Sequence, residues 1–167
     1  MVLLTACGGP GPGSMDAGVV ECSAEANPSY ELGTGESSFE PLVDGQDLFF
    51  APGPQGGCHF WLGVRTVGFP SRGTKLRYEV VYADTGTTTM SRSSFAIALE
   101  PVDGEDVCEA AGMTGFLIQP WKFEDARVEI RTEVWYEPTS TTKVSATASK
   151  TVMARWPGDD PNVCGPR

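Results

Sequence analysis

Apolar residues recur along this chain with a period of two, and nowhere does a period of 3.6 persist for three turns. From His59 to Val67, Phe60, Leu62 and Val64 fall on one side of an extended backbone and His59, Trp61, Arg65 and Val67 on the other. Lys75 to Asp84 sets Leu76, Tyr78, Val80 and Tyr82 against Arg77, Glu79, Val81 and Ala83. Ser93 to Val102 sets Phe95, Ile97 and Leu99 against Ala96, Ala98 and Glu100. Ala126 to Glu137 turns Val128, Ile130, Val134 and Tyr136 inward, and Pro138-Thr139-Ser140 leads into Lys143 to Trp156, the clearest hairpin of the chain. Shorter strands are predicted at Gly18 to Cys22, Tyr30 to Leu32, Phe39 to Leu42, Leu48 to Ala51 and Phe116 to Gln119. One short helical turn is expected from Glu105 to Gly112. Many strands at short spacing, with turn residues such as Asp44-Gly45 and Asp84-Thr85-Gly86 between them, predict an all-β antiparallel sandwich.

Composition sharpens this. With 167 residues, 40% of them hydrophobic, the chain has enough apolar surface for one substantial core, while 20 Gly and 13 Pro favour turns over long helices. Residues 1–17 read as signal remnant and Gly/Pro linker, and 18–167 as a single domain. A formal net charge of −10 repels phosphate backbones and anionic bilayers, which argues against nucleic acid as a partner and against direct membrane binding. No segment is apolar for long enough to cross a bilayer as a helix.

The amino terminus carries Leu4-Thr5-Ala6-Cys7, which resembles the lipobox of bacterial lipoproteins, with a flexible Gly8-Gly9-Pro10-Gly11-Pro12-Gly13-Ser14 tether directly after it. Only Met1, Val2, Leu3 and Leu4 stand where that family has a basic and then an apolar stretch. The resemblance implies lipidation on Cys7 and export. Because Gly8 stands where an aspartate would retain the protein at the inner membrane, it also implies an outer-membrane destination. Without Cys7, an even set remains, Cys22, Cys58, Cys108 and Cys164, and it lacks CxxC spacing. Disulfides suit such a set better than a zinc or redox site. Three connectivities are possible; Cys22–Cys58 with Cys108–Cys164 is the expected one, since it would fasten both ends of the chain to the sandwich.

The stretch with most chemical promise is Ala51 to Phe69, a Gly/Pro-rich turn running into a strand and holding the only histidine. Gly53, Gly56 and Gly57 permit positive φ or close approach to the backbone. Gln55 adds an amide near His59. Gln55, Gly56, Gly57 and His59 are therefore the candidate ligand-binding residues; alternatively the glycines make a tight turn and His59 bonds a loop carbonyl. Asp44-Gly45-Gln46-Asp47 followed by Gly53-Pro54-Gln55-Gly56-Gly57-Cys58-His59-Phe60-Trp61 is similar to a segment of predicted lipoproteins from myxobacteria and related bacteria, which carry a GPQGG-x-H-x-W type of motif on a β-sandwich. That resemblance implies the fold and no activity. The last hairpin likewise resembles the closing strand pair of immunoglobulin-like domains, which implies an immunoglobulin-like sandwich.

Motifs for nucleophilic, nucleotide and zinc chemistry, GxSxG, P-loop, Rossmann glycines and HExxH, do not occur. A triad would have to combine His59 with Ser93 or Ser94. No cofactor is expected, since one histidine is too few for a transition-metal site. Calcium needs only oxygens, which Asp44 and Asp47 in one turn and Asp103, Glu105 and Asp106 in another could supply. Trp61 and Trp135 lie opposite the apolar rows of their strands and could form one aromatic patch. The expected role is a non-catalytic binding or structural module at the cell envelope, with a protein or glycan partner. A hydrolase using His59 and a calcium-stabilised adhesion-type domain are the alternatives.

Overall fold

Alternating β-branched and aromatic residues bury one row per strand, and two such surfaces close on each other. The computed structural model describes residues 22–53, 58–87, 93–117, 122–123 and 125–156. Its strands are β1 (Ser29–Thr34), β2 (Glu40–Pro41), β3 (Asp47–Phe49), β4 (Ala51–Pro52), β5 (Cys58–Val67), β6 (Lys75–Tyr82), β7 (Ser93–Ala96), β8 (Glu100–Pro101), β9 (Cys108–Phe116), β10 (Arg127–Thr139) and β11 (Thr142–Arg155). The first sheet runs β2-β1-β5-β9-β8, with β4 also on β5; the second runs β3-β11-β10-β6-β7. All pairings are antiparallel except β3 with β11. The chain is thus an all-β sandwich.

The core is where the two inner rows meet. Leu32, Phe60, Leu62 and Val64 of the first sheet face Leu76, Tyr78, Val80, Ile130 and Val134 of the second, all almost fully buried. Phe60 meets Tyr78 edge to face at 6.4 Å. Opposite Phe60, Gly115 leaves the room that the ring occupies. The long hairpin forms as predicted, with Val128 opposite Val152 and Val134 opposite Ala146. Tyr30 ties the sheets together through a 2.7 Å hydrogen bond between its hydroxyl and that of Thr132, and burial above all pushes its phenol up to about 12.

Two predicted strands each divide between the sheets. The Ser93 to Val102 segment pairs with β6 as far as Ala96, then crosses and pairs with β9 at Glu100 and Pro101. Ile97 and Leu99 stay buried across the gap, and their amides donate to Thr74 O (2.9 Å) and Ser71 O (3.3 Å). Alternation survives such a crossing because the row still faces the core, so it cannot report that the backbone partner has changed. The Leu48 to Ala51 segment behaves likewise, with β3 on β11, β4 on β5 and buried Phe50 between them.

The helical turn expected from Glu105 to Gly112 is not formed. Cys108 and Glu109 begin β9, opposite Thr66 and Arg65, and Arg65 Nε donates to Glu109 at 2.6 Å. Ala110 and Ala111 favour helix locally, but pairing with the long central β5 prevails. Phe116 closes β9 and Leu117 is buried beyond it; Ile118 and Gln119, like Gly18 to Glu21, lie outside the described residues.

The expected disulfide pairing is also overturned: Cys22 bonds Cys108, with Cα atoms 5.9 Å apart. β5 provides the reason. Thr66, at its far end, stands opposite Cys108, while Cys58 opens it, eight positions or roughly 26 Å away along a strand. Backbone hydrogen bonds from Glu25 to Gly68 and from Ser71 to Cys22 hold the segment around Cys22 at the Thr66 end. Cys58 is in disulfide linkage too. Cys7 and Cys164 lie outside the described residues.

Candidate functional site

The outer face of the first sheet is built by two glycines. A side chain on Gly33 would collide with the Phe39 ring, and one on Gly63 would sit 2.8 Å from Thr34 O. Their bareness lets residues 35–39 fold back over the strands, so that Phe39 covers β1 and β5 and is itself buried. The Arg65 guanidinium lies 5.1 Å over the Phe39 ring, and Thr34 Oγ1 donates to Trp61 O at 2.8 Å.

His59 lies farther along β5 on this same face, opposite Phe116 of β9 and Ala51 of β4. Its ring meets Trp61 edge-on at 4.5 Å and Phe116 at 6.0 Å. Only 4% of the residue is exposed. Among the described residues neither ring nitrogen has a hydrogen-bond partner. Burial pushes the imidazole below its ordinary value of 6.5, with the Glu36 carboxylate opposing. The side chain packs as an aromatic ring between Trp61 and Phe116. Among the described residues no loop carbonyl accepts a hydrogen bond from it. Gln55, Gly56 and Gly57 lie outside the described residues.

The other candidate residues are not brought to His59. Ser93 and Ser94 belong to β7 of the opposite sheet, where they pair with Tyr78 and Arg77. Asp44 Oδ1 accepts from the Thr151 amide and Asp47 Oδ1 from Arg155 Nε, each at 2.8 Å, so both carboxylates brace the β11 margin. Asp103 and Asp106 lie in an exposed turn between β8 and β9, with Gly104 at φ 77°. No group of three or more His, Cys, Asp or Glu side chains able to hold a metal occurs among the described residues.

The tryptophans do not form one patch. Trp61 lies on the outer face of the first sheet and Trp135 on that of the second, clamped between the ammonium groups of Lys143 (4.8 Å) and Lys75 (6.0 Å). Around Trp135 runs a ladder of charge. Glu133 pairs with both Arg77 and Lys143, Glu129 with Arg131 and Glu137 with Lys75. Burial pushes the Glu133 carboxyl up, but the Lys143 hydrogen bond and the Arg77 charge outweigh it, leaving it below the usual carboxylate range. A hollow of about 430 Å³ lies over this ladder, and its charges already compensate one another.

The feature that sequence reasoning missed is a groove of about 500 Å³ between the β7 and β9 margins. It is lined by Phe95, Ile97, Ala98, Ala111, Met113 and Phe116, among others, and Phe116 at its end is 58% exposed. Reading β9 as a helical turn hid one wall. The signal that could have found it is the run Ala110 to Phe116, small or apolar and without charge. No family model, curated protein or solved structure matches this chain.

Proposed function

We propose that this chain is a non-catalytic binding module, an immunoglobulin-like sandwich exported and held at the cell envelope by a lipid on Cys7, as the lipobox and GPQGG-x-H resemblances imply. The observation that carries the non-catalytic reading is the state of His59. Its nitrogens are buried and, among the described residues, unpartnered, and a general base must reach the proton it removes. Oxidised Cys22, Cys108 and Cys58 support export, since such bonds persist in oxidising compartments. Between protein and glycan partners, the half-buried state of Trp61 and Trp135 favours protein, because sugar stacking needs an open aromatic face. The test is a panel of chromogenic ester, peptide and glycoside substrates assayed against wild type and His59→Phe. Background rates are expected in both. Turnover by the wild type that disappears in a folded His59→Phe variant would overturn the reading.

A further inference from the structure

β8 pairs Glu100 with Glu109 and Pro101 with Cys108 and then stops. From Ala110 onward, β9 has no strand neighbour on its outer side among the described residues. Its register against β5 shifts near Ala111 and Gly112 and is regular again from Met113 to Phe116. A free edge of this kind ordinarily carries a charge or proline that discourages pairing, and the stretch from Ala110 to Phe116 has neither. The opposite wall is the segment Phe95 to Ala98, where the chain leaves β7 for the other sheet.

Small side chains keep the groove open, with Ala96, Ala98, Ala110 and Ala111 on its walls. Past Ala98 and Ala110 it continues into a more polar hollow of about 290 Å³ that reaches Glu100, Pro101 and Val102. One end thus presents the exposed Phe116 ring, and the other presents Glu100 beside the turn that bears Asp103 and Asp106. Among the described residues none of these three carboxylates is in an ion pair.

The geometry points to an extended segment of a partner protein as the occupant. It would add as a strand to the β9 edge around Thr114, since the Phe116 carbonyl already accepts from the Tyr78 hydroxyl at 3.3 Å, with apolar side chains between the alanine walls and lysine or arginine toward Glu100. Main-chain hydrogen bonds supply the affinity in this mode and alternate side-chain pockets the selectivity. The acidic end beyond the groove, at Glu100 and the turn after it, selects this occupant over a second copy, which would bring the same acidic turn and a net charge of −10 to the contact. The inference rests on the binding-module reading and names the partner class and the site.

The experiment uses the full chain and two short fluorescent peptides of alternating valine and threonine, one ending in two lysines and the other in two glutamates. Anisotropy titration at low salt is expected to show the lysine peptide binding about tenfold or more tighter than the glutamate peptide. Ala98→Trp, which fills the groove, and Ala111→Lys, which places charge at the edge, are each expected to weaken the lysine peptide about tenfold or more. They alter opposite walls, so one folded variant suffices. Failure of both peptides to bind, equal binding of the two, or binding untouched by a folded variant would overturn the proposal. So would a concentration-dependent dimer, seen by sedimentation, that the same substitutions dissolve, since a second copy would then own the groove. Peptide cleavage lost in His59→Phe would instead strike the binding-module reading itself.

Discussion

The outer faces of the two sheets solve the same problem in different ways. The second sheet covers itself with side chains in register: the Arg77, Glu133 and Lys143 cluster, the Glu129 and Arg131 pair, and Trp135 beneath two ammonium groups. The first sheet is covered by its own backbone, with residues 35–39 lying across Gly33 and Gly63 and an aromatic cluster of Trp61, His59 and Phe116 beyond them. The charged face consists of many small, solvent-screened contributions and should tolerate change. The covered face depends on a few close contacts and should not.

The largest effect is expected where the covered sheet is cross-linked. The Cys22–Cys108 bond closes a sequence separation of 86, and its loss, as Cys22→Ala with Cys108→Ala, is expected to cost roughly 4–5 kcal/mol in the chain-entropy account. Chemical denaturation measures it, and a cost below about 1 kcal/mol would mean that the backbone bonds at Gly68 and Ser71 suffice. Next comes Gly63→Ala, expected to destabilise by about 2–3 kcal/mol because its Cβ would meet the backbone oxygen of Thr34 rather than a movable side chain.

His59→Phe is expected to act in the opposite direction, stabilising by about 1 kcal/mol, since it removes two buried nitrogens that have no partner among the described residues and keeps an aromatic ring between Trp61 and Phe116. The pH dependence carries the same signature. Unfolded chains take up a proton on this imidazole near 6.5 and the folded protein only at lower pH, so the wild type loses stability as pH falls below 6.5. Melting curves between pH 7.5 and 5.5 should show that slope in the wild type and not in His59→Phe; matching slopes would mean that His59 takes up its proton equally in both states.

On the charged face the expected effects are smaller. Glu133→Gln should cost about 1 kcal/mol or less and should do so mainly at low salt. Because its carboxyl is held below the usual range, the Glu133 contribution is present above about pH 4.5 and fades as pH falls through the folded value. Ser149→Ala, on the same face, is expected to stay within about 0.5 kcal/mol. If Glu133→Gln proved as costly as Gly63→Ala, the contrast between the two faces would be wrong.

Much of the fold was legible one strand at a time. The inward rows Phe60-Leu62-Val64, Leu76-Tyr78-Val80 and Val128-Ile130-Val134 are buried as alternation predicts, and the final hairpin forms. The site was less so. Alternation correctly put His59 on the side away from Leu62, but it could not report that Trp61 and Phe116 pack against its ring, while Gln55, Gly56 and Gly57 lie outside the described residues. The helical reading of Glu105 to Gly112 failed because the local helix preference of Ala110 and Ala111 is overridden by pairing with Arg65 and Thr66 of another strand.

The sequence by itself determined the class of structure and the side of its strand on which most residues lie, because a period of two is a local property of an extended backbone. Turn chemistry, net charge and the even set of cysteines behind Cys7 were equally local. Only the tertiary structure decided which sheet each strand joins, that Cys22 reaches Cys108, that residues 35–39 cover the first sheet and that, among the described residues, β9 keeps an open edge beside a groove. Each of these depends on neighbours distant in sequence. Alternation records the face a residue presents but not what comes to lie against it.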